Sequence, residues 1–269
     1  MEIKGILACV DASEYSMTVM HLSTYIAKKI KAKVCGLHVI DILQLEGPLM
    51  YDISGALGFE PFANFSARIK AVLEEKGKVV LSAFEEIAKQ EGVEFERFMD
   101  IGIITKTILE YEERCDLVAI GRKGVNEQYD RGILGTNIES ILRKTKKPLL
   151  VSPRKFYPFA NVVACVDSRE PSKKVYEYAK YMSEEFGIPL KAVYVDNKKR
   201  DEDLSHFSEI DVITSKSVTD GLEEYIRGVE RPLVCIGAYA KPKLIEIVLG
   251  STTENLLKRD IEVHFLVIR

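Results

Sequence analysis

The residues of this chain best suited to chemistry are glycines at fixed spacing. Gly121-Arg122-Lys123-Gly124 follows the apolar run Leu117-Val118-Ala119-Ile120, and Gly135-Thr136 comes after a further ten residues. Glycines at a strand end let the backbone approach a ligand closely, and consecutive N–H groups there form a concavity suited to an anion. Thr136-Asn137-Ile138-Glu139 fits the capping-box pattern, which predicts Gly135 and Thr136 at the positive end of a helix dipole, a ready phosphate position. The plainer alternative is two glycine turns and an N-cap. Arg122, Lys123 and Arg131 are either phosphate-neutralising groups or ordinary solvated loop charges.

A carboxylate closes the first apolar run. Asp11 can accept ribose hydroxyls, hold a phosphate-associated metal ion, or cap the following helix, and these roles are compatible. Val39 and Ile40 close a second run, where backbone groups could pair with a base edge, as at any strand end. What is absent narrows the chemistry. The chain has no G-x-x-x-x-G-K-[ST] loop, no G-x-G-x-x-G and no G-x-S-x-G, which removes the usual fingerprints of P-loop hydrolysis, dinucleotide enzymes and serine hydrolases. His21, His38, His206 and His264 show no zinc-type spacing. No residue stands out as a general base, so binding is expected rather than turnover.

Positioning these residues requires strands that end together, and a repeat supplies the pattern. Ala8-Cys9-Val10-Asp11 recurs as Ala164-Cys165-Val166-Asp167, Leu117 to Gly121 is echoed by Leu233 to Gly237, and Leu134 to Glu139 by Leu249 to Glu254. Pro153 to Pro158 interrupts the apolar pattern, dividing the chain into residues 1–155 and 156–269. In repeat one the patterning predicts strands near 5–10, 33–40, 94–99, 116–121 and 148–152, and helices near 13–31, 65–91, 103–114 and 137–146. In repeat two it predicts strands near 160–166, 189–195, 210–213, 232–236 and 263–268. Apolar strands alternating with helices imply a parallel sheet covered on both faces. The expected fold class is therefore α/β, with two tandem open, doubly wound parallel-sheet domains whose ligands lie beyond the carboxyl ends of the strands. The Asp196 to Glu209 connection leaves no room for a counterpart of the second helix, which makes repeat two a trimmed copy. The apolar segment from Asp41 to Phe65, with Leu49, Met50, Tyr51, Leu57 and Phe59, either closes over a ligand, packs on repeat two, or folds back on its own domain.

Composition excludes other classes. With 269 residues, 46% hydrophobic and 29% charged, this is an ordinary globular chain long enough for two domains. A net charge of -3 argues against nucleic acid as the main partner. No run approaches the length needed to span a bilayer, and the first apolar run is too short for a signal-peptide core, so a cytoplasmic protein is expected. The five cysteines sit in or beside apolar runs and read as core thiols.

In these motifs the chain resembles the universal stress proteins in their tandem two-domain form. The resemblance rests on Val10-Asp11-Ala12-Ser13-Glu14, His38-Val39-Ile40-Asp41, Asp116 to Gly121 and the spaced glycines, and spans nearly the whole chain. It implies an adenine nucleotide alpha hydrolase-like, Rossmann-like fold and a bound ATP or AMP, with magnesium as a candidate companion. The ATP-binding signature of that family is matched by Gly121, Gly124, Gly135 and Thr136, with a second spacer of ten residues in place of nine. By resemblance, the Val39 backbone meets adenine, Asp11 and Gly121 lie near the ribose, and Gly124, Gly135, Thr136 and Asn137 hold phosphates. Repeat two keeps Asp167, Val195, Gly237, Gly250 and Ser251, a candidate second site, but Tyr239 and Ala240 fill its loop where a glycine is expected. It is either a second nucleotide site or a vestigial crevice. The expected function is nucleotide-dependent stress response or regulation; a slow ATPase or nucleotidyl-transferring enzyme and a nucleotide-free scaffold are the alternatives. Pairing through the last strands, 148–152 and 263–268, would make a pseudo-dimer within the chain or a homodimer with a second copy.

Overall fold

The structure, a computed structural model, describes residues 2–46, 62–125, 134–197, 203–238 and 250–269. Repeat one forms β1 (Gly5–Cys9), α1 (Glu14–Ile30), β2 (Lys33–Asp41), the short α2 (Leu43–Glu46), α3 (Phe62–Glu91), β3 (Phe95–Gly102), α4 (Ile104–Tyr111), β4 (Leu117–Gly121), α5 (Thr136–Lys144) and β5 (Leu149–Ser152). Repeat two forms β6 (Asn161–Cys165), α6 (Glu170–Phe186), β7 (Leu190–Asp196), β8 (Ile210–Thr214), α7 (Val218–Arg227), β9 (Pro232–Gly237), α8 (Ser251–Leu257) and β10 (His264–Ile268). The α/β class with helices between parallel strands is as the patterning implies. Among the described residues, no helix lies between β7 and β8, where repeat one has α3.

The strands make one continuous sheet in the order β3-β2-β1-β4-β5-β10-β9-β6-β7-β8. Every pairing is parallel except the central one, where β5 meets β10 antiparallel with Leu150 opposite Leu266. The two strand endings marked in the sequence thus cover each other's exposed edge within the chain.

Alternation along the strands sorts the core into two layers. On one face, Ile6, Ala8, Leu150 and Leu266 pack under α1, α3 and α6 through Leu22, Phe84 and Met182. On the other, Leu7, Val151, Phe265 and Val267 pack under α4, α5, α7 and α8 through Ile108, Ile141, Ile226 and Leu256. Both layers draw residues from both repeats. A bare backbone position seats the longest helix: a Cβ on Gly36 would fall 2.5 Å from the Phe84 ring. Helix termini follow local chemistry. Ser13 caps α1 by accepting from the Ser16 amide, and Gly187 closes α6 in the left-handed conformation at φ 63°.

Two details differ from expectation. The predicted helix over 103–114 ends at Tyr111 and tightens into a 3-10 turn over Glu112–Arg114, because the buried Glu112 carboxylate turns to accept from Thr145 Oγ1 and the Lys146 amide. The N-cap of α5 is Gly135 and not Thr136, with no side-chain cap bond, and Glu139 forms an ion pair with Lys258 at 3.3 Å. The capping box read from 136–139 is therefore not formed; a glycine backbone supplies the cap instead. The Thr136 side chain, Arg131, Tyr239, Ala240 and the segment holding Leu49, Met50, Tyr51, Leu57 and Phe59 lie outside the described residues.

Candidate functional site

A crevice opens where β1 and β4 end. Its lining includes Asp11, Val39, Gly121, Arg122, Lys123, Gly124, Gly135 and Asn137, so seven of the eight residues nominated in repeat one border it, and Thr136 opens the adjoining helix. Ile104, Ile108, Ile120 and Leu37 give it an apolar wall, and Asp41 and Gln44 close one side. Such a mixture of apolar wall and few convergent polar groups is typical of small-ligand sites.

Asp11 is braced before any ligand arrives. Its Oδ1 accepts from the Ser13 amide at 2.8 Å, and its Oδ2 accepts from the Val125 amide at 3.2 Å. Its own amide donates to Ser16 Oγ at 2.8 Å. Ser13 caps the helix while Asp11 holds Ser13, which leaves the carboxylate at the crevice mouth. The Ser13 and Ser16 contribution was legible as serines flanking a helix start, although nothing in their types ties them to Asp11.

The alternation of a parallel ladder aims the Val39 backbone. The Leu37 carbonyl accepts from the Val10 amide at 2.9 Å, so the odd residues of β2 direct their amides and carbonyls towards β1. β1 ends at Cys9, and the Val39 amide and carbonyl, two residues on, face the crevice beyond it. The even residues bond to β3, as the Ile42 amide to the Gly102 carbonyl shows at 3.0 Å.

The glycines are there for close approach. A Cβ on Gly121 would sit 2.7 Å from Tyr15 Cβ and 2.9 Å from the Lys123 carbonyl oxygen, and one on Gly124 2.8 Å from Asp11 Oδ2. The Gly135 amide donates to the Arg122 carbonyl at 3.1 Å, which ties the start of α5 to the strand-end loop. The 121–125 loop and the start of α5 thus border the same crevice, an arrangement that favours a phosphate-like anion.

Arg122 departs from its expected part. Its backbone borders the crevice, but its side chain is only 3% exposed and reaches repeat two, where one terminal nitrogen donates to the Arg259 carbonyl at 3.2 Å. Its guanidinium lies 5.7 Å from the centre of the Phe265 ring. Burial lowers its proton affinity, and the Glu262 carboxylate opposes that. A guanidinium fixed there is not a phosphate clamp; Lys123 also borders the crevice.

In repeat two, Asp167 occupies the place of Asp11, with its amide donating to Ser172 Oγ at 3.0 Å. Arg169 stands where repeat one has Ser13, and its Nε donates to Asp167 Oδ2 at 2.6 Å. The Gly250 amide donates to the Ala238 carbonyl at 3.1 Å, copying Gly135 and Arg122. Gly237 ends β9, Ser251 opens α8 after Gly250, and Val195 lies on β7. The frame is kept, while its carboxylate is neutralised from within the chain.

Among the described residues no three His, Cys, Asp or Glu side chains stand where they could hold a metal ion. None of the described helices is long and apolar enough to cross a membrane. All five cysteines are free, and burial pushes the Cys165 thiol up to about 12 and raises those of Cys9 and Cys235 as well.

Comparison with known proteins agrees with this architecture. The chain is 23% identical over 278 residues to a universal stress protein from Synechocystis, covering 96% of this chain and 97% of that one. It is 30% identical over 174 residues to a putative universal stress protein from Staphylococcus aureus, covering 62% of this chain and 95% of the relative. A crystal structure of a universal stress protein from Archaeoglobus fulgidus superposes with a TM-score of 0.70 at 19% identity, covering 98% of both chains, which shows a shared fold. The profile of the universal stress protein family matches residues 2–153, the segment that builds the crevice. By that match over more than half its length, the chain belongs to the universal stress protein family.

Proposed function

We propose that residues 1–155 bind one adenine nucleotide, ATP, ADP or AMP, in the crevice, and that the chain acts in stress response or regulation through the resulting change in conformation or partner binding. The observation that carries this reading is convergence. The outward-facing Val39 backbone suits a base edge, the braced Asp11 suits ribose hydroxyls, and the amides of the 121–125 loop and of the first turn of α5 suit phosphates, all bordering one cavity. Magnesium would enter as the phosphates' own counter-ion, with Asp11 as the nearest carboxylate and water filling its remaining positions. Residues 156–269 act as the shorter partner, since the Arg169–Asp167 pair occupies the carboxylate that a ribose would need.

Calorimetric titration with ATP and AMP, with and without magnesium, tests the reading on wild type and Gly124→Val. Wild type is expected to bind below millimolar concentration and the variant at least about tenfold more weakly; absence of binding in wild type rejects it. Asp11 beside Lys123 supports a second reading, slow metal-assisted turnover. Steady ATP hydrolysis lost in Asp11→Ala would favour it, whereas hydrolysis unchanged in that variant would mark a contaminant.

A further inference from the structure

Arg122 is a buried cation whose Nε and second terminal nitrogen have no hydrogen-bond partner. Retaining a desolvated, half-satisfied guanidinium is costly, and an apolar side chain of similar volume is often as stable or more so. Its backbone, in contrast, is fully used. The Arg122 amide donates to the Ser152 carbonyl at 2.9 Å, and its carbonyl accepts from the Gly135 amide at 3.1 Å. One residue therefore joins the strand-end loop, the last strand of repeat one and the cap of α5, while its side chain is seated on Arg259 and Phe265 of repeat two.

Further bonds link the same two regions. Lys258 bridges Glu139 of α5 at 3.3 Å and Glu254 of α8 at 2.6 Å, and Arg143 reaches Glu254 at 3.4 Å. The connection is asymmetric. Ala238 has the equivalent backbone bonds, its amide to the Ile268 carbonyl at 2.8 Å and its carbonyl to the Gly250 amide, but a methyl group cannot cross the seam.

We propose that Arg122 is a positioning residue that couples the crevice of repeat one to the segment from Leu257 to Phe265 of repeat two, so that anion occupancy of the crevice is transmitted to the second repeat and not in the reverse sense through Ala238. The inference rests on the nucleotide reading. An anion drawing on the amides of the 121–125 loop fixes the Arg122 backbone, and close packing around its side chain leaves no slack to absorb a shift. Negative charge beside the loop also compensates a guanidinium that its own surroundings leave underpartnered.

Hydrogen exchange on the full chain, with and without ATP, tests this on wild type, Arg122→Met and Arg122→Lys. In wild type, ATP is expected to slow exchange both in 121–125 and in 257–265. In Arg122→Met, ATP binds about tenfold more weakly, and at saturation 121–125 is still protected while 257–265 is not. The unfolding midpoint of that variant without nucleotide stays unchanged or rises, which separates loss of coupling from loss of fold. Arg122→Lys keeps the charge without the planar reach and is expected to couple less than wild type. Protection of 257–265 retained in Arg122→Met, or absent in wild type while 121–125 is protected, overturns the coupling. No ATP protection anywhere in wild type overturns the nucleotide reading instead, and the coupling with it.

Discussion

Gly124 and Asp11 illustrate how little freedom the crevice allows a single residue. With only 2.8 Å between an added Cβ and the Asp11 carboxylate, Gly124→Val must move either the loop or the carboxylate. Weakening of nucleotide binding by at least about tenfold, or about 1.4 kcal/mol, is expected in titration, with the crevice otherwise intact. A second residue-scale prediction concerns acid. His264 is fully buried, both its ring nitrogens lack partners, and burial lowers its pKa from 6.5 to about 3. The folded chain keeps the ring neutral while the unfolded chain protonates it. Its contribution to stability is therefore complete above about 6.5 and is lost as pH falls towards about 3, at up to ~1.4 kcal/mol per pH unit. His264→Phe, which fits among Tyr157, Phe159 and Phe156, is expected to match wild type in urea unfolding at neutral pH and to exceed it near pH ~4.5.

Elements are held by shape more than by propensity. Phe84 lies against the bare backbone of Gly36, and α3 docks there on β2. Gly36→Ala is expected to cost about 1–3 kcal/mol through overpacking and Phe84→Ala about 3–5 kcal/mol through a cavity, both read from denaturant midpoints. At this scale the sequence was largely readable, because apolar runs with β-branched residues and amphipathic stretches obey different periods. The placement of Asp11, Val39 and Gly121 at or just past strand ends was readable for the same reason. Cap identity was not. Thr136 has the right chemistry for an N-cap, yet the bond from the Gly135 amide to the Arg122 carbonyl sets the start of α5 one residue earlier. Nor could charge alone reveal where Arg122 points, since that depends on residues more than a hundred positions away, Arg259 and Phe265.

Across the whole molecule, the antiparallel β5–β10 seam makes one sheet of two repeats, and each core layer runs through it. Shared layers predict cooperative loss of structure. Scanning calorimetry is expected to show a single transition, and two resolved transitions would mean that the seam is weaker than its packing implies. Leu266→Ala, buried opposite Leu150, is expected to lower that single transition by about 2–5 kcal/mol of stability rather than split it. The same scale carries the division of labour. Repeat one presents a braced carboxylate and two glycines at positions with no room for a Cβ, whereas repeat two retains the frame with Asp167 bound by Arg169. The most direct measurement is the number of ATP molecules bound per chain at saturation, by equilibrium dialysis of wild type and Gly124→Val at a concentration that saturates wild type without overcoming the variant's weaker affinity. The account predicts one per wild-type chain and close to none for the variant; two per chain, none, or one retained by Gly124→Val would contradict it.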